Sequence, residues 1–448
     1  MTKKVARPDT DAVADTGAQV RINVHHVTRV EGHGNIVVDV RDGSLERCEL
    51  QIVETPRFFE AMLRGRPYLQ ASHITSRICG ICACGHATAS LRATEHALNV
   101  QLSEQTTLLR KLVMHGEMLD SHILHVYMLI APDFLGVGSV IPLAASHPDI
   151  VKRALRMKQF AGDLCAAFAG RHTHPIAMTV GGFTHYPPRE QVEALRERAE
   201  ALLPDVDATV ELFATLPFPQ FERETEYVAL VQPDEYGFID GMIGSTEHAP
   251  RPLDEYRAVT NERLEVHSTA KHTAHQRESY MVGALARYHL KQMHLHPRAQ
   301  AAAAHLGLSA PCFNPYFNSV AQVVEIVHCF DDLIQLLDTV LARGIAPEQP
   351  APVTLRAGAR GVGAVDVPRG ILFHEYQIGE DGLIEEANCI IPTGQNLGNI
   401  DRDMRALVPT LLSEPEETIT HRLEMLVRAY DPCISCSTHF LNVEFVGK

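Results

Sequence analysis

No run of basic residues stands out in this chain, and its net charge is −15. Neither nucleic acid nor an anionic membrane surface is therefore indicated as a partner. No unbroken apolar stretch reaches the ~20 residues that a membrane-spanning helix needs, so an integral membrane protein is not expected. The opening MTKKVARPDTDAVADTGAQ lacks the apolar core of a secretory leader. It reads as a disordered polar lead-in over residues 1–20. Internal repeats and clear linkers are missing too, which leaves residues 21–439 as one domain. Charged residues are only 21% against 45% hydrophobic, and this excludes wholesale disorder. Ten cysteines in 448 residues do not make a disulfide scaffold. Their x-x-C spacing favours metal or redox chemistry in a reducing compartment.

What is present is mainly helical. Residues 21–53 alternate apolar and polar, with Asp42-Gly43 between the two runs, and predict a β-hairpin. A helical pattern starts after Pro56. Ala87 to Leu98 directly follows the first cysteine motif, so that motif sits where a helix begins. Ser103 can cap a long helix toward Ile130, with Pro132 stopping it. Helical patterns recur at 148–170, 188–215, 272–307 and 318–343. Residues 351–378 predict short strands and turns, with Val353, Leu355, Val365, Val367, Ile371 and Leu372 among glycines. Ser413 and Glu416 have the spacing of a capping box before a last helix, which Pro432 ends. The fold class is mainly α with small β-hairpins, an α+β arrangement around a large helical core.

Two Cys-x-x-Cys pairs lie at opposite ends of the chain. Arg77-Ile-Cys79-Gly-Ile-Cys82 is followed by His86, and Asp431-Pro-Cys433-Ile-Ser-Cys436 by His439. Thiolates are soft ligands, and four converging on one point would hold a transition metal. Structural zinc is the main alternative. Such zinc organises a small local knuckle, whereas nearly the whole chain separates these pairs. A catalytic disulfide would need a thioredoxin-like βαβ unit, and none is evident. Cys48, Cys165, Cys312 and Cys329 read as isolated buried cysteines, and Cys84 as either a support behind the ligands or a bystander within the first motif. Gly361-Val-Gly363 is a poor dinucleotide loop, because no helix follows it. Glu31 and Arg369 could, taken alone, be a surface ion-pair partner and a solvated turn residue.

Taken together, four segments carry a resemblance. Arg-x-Cys79-Gly-x-Cys82-x-x-x-His86 is preceded by Arg-Val-Glu31-Gly-His. Pro368-Arg369-Gly-x-Leu-x-His comes late, and Asp431-Pro-Cys433-x-x-Cys436-x-x-His439 at the end. The combination resembles the large, catalytic subunit of nickel–iron hydrogenases, over about Ile22 to His439. Arg57-Phe-Phe-Glu60 is similar to the cytoplasmic soluble branch, which holds sulfhydrogenases and deazaflavin- or NAD(P)-linked enzymes. A descendant of the same fold, the quinone-reductase subunit of complex I, has lost the cysteines kept here.

The resemblance implies the site. Cys79 and Cys433 would be terminal nickel ligands. Cys82 and Cys436 would bridge nickel to an iron carrying CO and CN⁻. His86 would donate a hydrogen bond to a bridging sulfur. Glu31 would pass protons between the Cys433 thiolate and solvent. Arg369 would hang over the open face of the metals, with Pro368 beside it and Asp431 orienting it. Ser121 stands where the best-studied members carry an aspartate over the site, which changes the partners open to the arginine. Asp366 replaces a common glutamate. Glu60, His439 and the backbone carbonyl of Cys389 would hold a magnesium or iron ion. The chain has no cysteines for electron-transfer clusters of its own, so an iron–sulfur small subunit is the expected obligate partner. Flavin, nicotinamide or deazaflavin subunits would follow it, in a cytoplasmic complex. Residues 440–448 are either a retained strand or an extension that a maturation protease removes.

Overall fold

The computed structural model describes residues 20–438. The lead-in, His439 and the tail over 440–448 lie outside the described residues. Near the amino end, strands β1 (Val20–Val24), β2 (Gly34–Arg41) and β3 (Ser44–Ile52) form an antiparallel meander. Asp42 and Gly43 both have positive φ, 52° and 73°, which gives a two-residue turn matching the strands' twist. Far along the chain, β4 (Arg263–Glu265) and β5 (Ser268–His272) extend this sheet, β5 pairing parallel to β3.

Helices follow where expected, with differences at their ends. Two short helices, α1 (Phe59–Leu63) and α2 (Tyr68–Thr75), lead into the first cysteine motif. Helix α3 (Ala83–Ala97) starts immediately after Cys82. Helix α4 (Glu104–Leu124) is capped by Ser103, whose Oγ accepts the Thr106 N–H at 3.0 Å. Pro132 does not stop this helix. A π-helical stretch, His125–Ile130, continues it into a last turn, Ala131–Phe134. Pro132 sits in the first turn there, where its missing N–H costs nothing. Helix α5 (Pro148–Ala169) packs against α4. The 188–215 pattern divides at Leu202 into α6 (Arg189–Ala201) and α7 (Leu203–Ala214), with Pro204 in the first turn of α7.

The 272–307 pattern is not one helical region. It contains the end of β5, the short strand Tyr280–Met281 and two helices, α8 (Ala284–Lys291) and α9 (Pro297–His305). Gly283, at φ 120°, and Pro297 set the breaks. Helix α10 (Asn318–Arg343) runs through the core. Strands β6 (Ala359–Val367), β7 (Gly370–Ile378) and β8 (Ile384–Ile390) form a second meander. Val353 and Leu355 precede it outside any strand. Helix α11 (Pro392–Leu411) leads to α12 (Glu416–Ala429). No capping box forms at α12. Pro415 takes the N-cap position without a side-chain cap, because the residue before a proline resists helical geometry and the helix starts beyond it.

The glycines of β6 have a packing reason. A Cβ at Gly361 would stand 2.2 Å from the Ala97 nitrogen, and one at Gly363 2.2 Å from the Ala89 carbonyl oxygen. The strand therefore lies backbone-to-backbone along α3. At its far end, Val367 fits against Gly85 in the first turn of α3. This sets the Pro368-Arg369 turn, which joins Val367 to Gly370, over the helix start beside Cys82. One apolar core runs from Ile22 to Cys436 and joins both chain ends. Gly363→Ala is expected to destabilise the protein by about 3 kcal/mol, the upper range for overpacking a tight site. Chemical denaturation against the parent measures it.

Candidate metal centre

The two cysteine pairs meet. Cys79 lies in the tight loop after α2, and Cys82 is the N-cap residue of α3. The second pair follows α12, where Asp431 takes a left-handed φ of 51° and turns the chain inward. A short parallel bridge then joins Cys433 to Glu31, with the Ile434 N–H on the Glu31 carbonyl at 2.9 Å. Thr393, in the first turn of α11, accepts the Cys433 N–H at 2.9 Å.

Cys79, Cys433 and Cys436 bring their sulfurs within 4.8 Å of one another. Cys79 Sγ is 3.6 Å from Cys433 Sγ, and the Cys433 and Cys436 sulfurs lie side by side. Cys82 joins the group through Cys79, whose sulfur accepts the Cys82 N–H at 3.1 Å and the Ile81 N–H at 3.3 Å. The Cys82 thiol also bonds to Cys79, which pulls the Cys79 pKa down and pushes the Cys82 thiol up. All four are 4% exposed or less. They are four soft donors at one dry point, and hard oxygen ligands are not part of the set. That donor chemistry fits a thiophilic transition-metal centre.

Arg369 reaches this point from the β6–β7 turn. Its Nε donates to the Asp431 carbonyl at 2.6 Å, its Nη2 to the Asp431 carboxylate at 2.8 Å, and its Nη1 to Ser121 Oγ at 3.3 Å. Burial would lower its pKa, but Asp431 and the Cys79 and Cys82 sulfurs raise it, so the guanidinium stays charged. Asp431 does lie where it can orient the arginine, and Ser121 is its third partner. Gln322 donates to the other Asp431 oxygen at 3.2 Å. Arg287 holds the turn itself, donating to the Val367 carbonyl at 2.9 Å and the Pro368 carbonyl at 3.0 Å. Its charge is met by Glu325 at 2.6 and 2.7 Å. Asp366 is buried beside it, accepting from the Leu230 N–H and from Lys291.

Glu31 is half-buried and takes the Ser435 hydroxyl on one oxygen and the Ser435 N–H on the other at 3.2 Å. It therefore touches the loop between Cys433 and Cys436. His86 is fully buried, and its Nδ1 lies 3.1 Å from His374 Nε2. That chain continues to Tyr376 at 2.8 Å and Ser90 at 2.9 Å. Glu60 is buried on α1, and its charge raises the thiol pKa of Cys389 on β8, after burial as the larger cause. His439, their expected companion, lies outside the described residues.

Several residues of the site carried little or no sequence signal. Arg57 donates to the Ile78 carbonyl at 2.6 Å and to the Ser435 carbonyl at 2.5 Å, so one side chain ties both cysteine loops together. His374 closes the Pro-Arg-Gly motif, and that spacing was its only signal. Thr393, Arg287, Glu325 and Glu117 had none, because their partners lie on distant segments. Glu117 on α4 accepts the Gly85 N–H at 2.9 and 3.0 Å, capping the first turn of α3 from outside. Burial pushes its pKa up to about 8, from 4.5.

Comparisons with known proteins identify the family. The family model described as nickel-dependent hydrogenase matches residues 57–152 and 256–439, and a model described as HoxL-like matches 21–55. The chain belongs to the nickel-dependent hydrogenase family. The alpha subunit of sulfhydrogenase 2 from Pyrococcus furiosus is 33% identical, over 94% of this chain and 100% of that one. The beta subunit of the NAD-reducing hydrogenase HoxS from Cupriavidus necator is 27% identical, over 94% and 95%. The crystal structure of an NAD+-reducing nickel–iron hydrogenase in its dihydrogen-reduced state superposes with a TM-score of 0.83. It is 28% identical, over 94% of this chain and 99% of that one. The family membership and the α+β fold of the hydrogenase large subunit are thus both established. Among the described residues no helix is long and apolar enough to cross a membrane.

Glu117 gives a pH test. Its proton is held to about pH 8 in the folded chain but released near 4.5 on unfolding, so folding stability falls as pH rises between those values. Relative to Glu117→Gln, the parent is expected to lose up to about 1.4 kcal/mol per pH unit from pH 5 to 8. Chemical denaturation at stepped pH measures the difference, and parallel curves would refute it.

Proposed function

We propose that this hydrogenase catalytic subunit cleaves dihydrogen reversibly at a nickel–iron centre held by Cys79, Cys82, Cys433 and Cys436. The observation that carries the reading is the buried convergence of the two cysteine pairs beneath Arg369. Cys79 and Cys433 would hold the nickel, and Cys82 and Cys436 would be shared between it and an iron carrying CO and CN⁻. When bound, the metal pair supplies the Lewis acidity and the electron acceptance that heterolytic cleavage requires. The chain supplies the rest.

Dihydrogen is nonpolar and a poor acid, so cleavage needs a base close to the metals. The terminal thiolates can take the proton. Glu31, bonded to the loop that carries Cys433 and Cys436, is placed to move it toward solvent. Arg369 cannot readily act as a base at rest, because its charge is held by Asp431. It presents a fixed positive charge to the substrate side, and Pro368 stiffens its turn. His86 positions the first cysteine helix through His374. Glu60, the Cys389 carbonyl and His439 would together hold a magnesium or iron ion.

Electrons leave through an iron–sulfur small subunit, since the remaining six cysteines are scattered and form no cluster motif. Flavin and nicotinamide subunits follow it, in line with the NAD-reducing relatives; a deazaflavin module is the variant of the same scheme. The complex is cytoplasmic.

Metal analysis of the subunit matured in its host is expected to give nickel with iron, together with infrared bands of CO and CN⁻. Zinc alone would overturn the assignment. Cys436→Ser is expected to lose the centre altogether. Arg369→Lys is expected to keep nickel and iron but lose about 10²-fold or more in turnover, because a point charge cannot keep the three-way contact to Asp431 and Ser121. Glu31→Gln is expected to slow hydrogen–deuterium exchange with water while the metal content stays at the parent level.

A further inference from the structure

Two imidazoles and a carboxylate meet at a place that hydrogen chemistry does not use. His267 precedes β5 and His272 ends it, and both face Asp401 on α11. His267 Nε2 lies 3.2 Å from Asp401 Oδ2, and His272 Nδ1 lies 4.0 Å from the same oxygen. One ligand atom from each residue is within 4.8 Å of the other two. Zinc with ligands at 2.0–2.1 Å would set tetrahedral neighbours about 3.3 Å apart. Small side-chain shifts therefore bring these groups to three corners of a tetrahedron.

The surroundings suit a cation. The second Asp401 oxygen accepts the Leu50 N–H at 2.8 Å, which fixes the carboxylate as outer hydrogen bonds fix metal ligands. His272 is buried, and its Nε2 has no hydrogen-bond partner among the described residues. Burial lowers the His272 pKa, leaving a neutral ring with a lone pair to give. Glu49 and Glu265 add negative field at His267, while Arg263 opposes it at His272. His267 and Asp401 keep partial exposure, which leaves room for water as a further ligand.

A second cluster, Glu226 with His248 and His275, is similar in composition. Its carboxylate already receives Ser245, His275 and the N–H groups of Gln276 and Arg277. It reads as an internal anchor, its carboxylate already held by these four donors.

We propose that His267, His272 and Asp401 form a second metal site, for a divalent transition ion of the zinc type, completed by water. Imidazole with one carboxylate selects such ions over magnesium. The ion would clasp the β4–β5 hairpin to α11. Thr393, which receives the Cys433 N–H, lies eight residues before Asp401 on that helix, about 12 Å away at 1.5 Å per residue. The clasp would thus brace the floor on which the last cysteine motif settles.

The test uses the native heteromeric enzyme. It is stripped of loosely held metal with EDTA, desalted and exposed to Zn2+ alone or with millimolar Mg2+. The parent is expected to retain one chelator-removable zinc per catalytic chain, undiminished by magnesium. His267→Gln is expected to lose that equivalent, with its nickel and iron content showing that the chain has folded. Equal zinc in parent and variant, or no uptake by the parent, would overturn the proposal. Zinc X-ray absorption on the parent decides independently of any variant: nitrogen and oxygen neighbours support the site, and sulfur neighbours sink it.

Discussion

Arg57 is the one side chain on which the closure of the site depends. Its guanidinium donates to the Ile78 carbonyl just before Cys79 and to the Ser435 carbonyl between Cys433 and Cys436. Two carbonyls from opposite ends of the chain are met by one half-buried cation, and charge-assisted bonds of this kind are the stronger ones. The Glu31–Cys433 bridge and the Thr393 contact complete the seating of the last segment. The last segment thus rests on the first motif, the loop after β1 and α11.

The charges above the sulfurs follow a different logic. Arg369 and Asp431 are both buried, and a buried ion pair adds little stability once desolvation is counted. What it provides is position. Arg369 is held by the Asp431 carboxylate, the Asp431 carbonyl and Ser121, while Arg287 and Glu325 hold the turn that carries it. The left-handed Asp431 serves both sides, turning the chain toward Cys433 and orienting the arginine. The backbone packing of β6 on α3, which Gly361 and Gly363 permit, sets the height of that turn.

Much of this was legible in the residues. The Cys-x-x-Cys pairs, the Pro-Arg-Gly turn and Glu31 lie in short motifs whose local geometry is fixed by proline, glycine and helix starts. The structure brings Cys79, Cys433, Cys436, Arg369 and Asp431 together, with Cys82 against Cys79. Errors fell at helix boundaries and in the 272–307 pattern, which holds strand as well as helix. Pro132 looked like a stop and is a first-turn residue, and Ser413 looked like a cap that Pro415 displaced. In both cases the local signal was real, but its register was settled by neighbouring geometry.

The sequence by itself determined the chemistry: soft thiols in two pairs, one arginine in a rigid turn, and too few further cysteines for clusters of its own. These follow from residue type and short spacing, which no packing can alter. Tertiary structure alone decided which groups support that chemistry. Arg57, Thr393, Arg287, Glu117 and the His267–His272–Asp401 group act across long separations through backbone contacts and convergent side chains. Such partners leave no periodic trace, because their proximity is created by folding and has no counterpart along the chain.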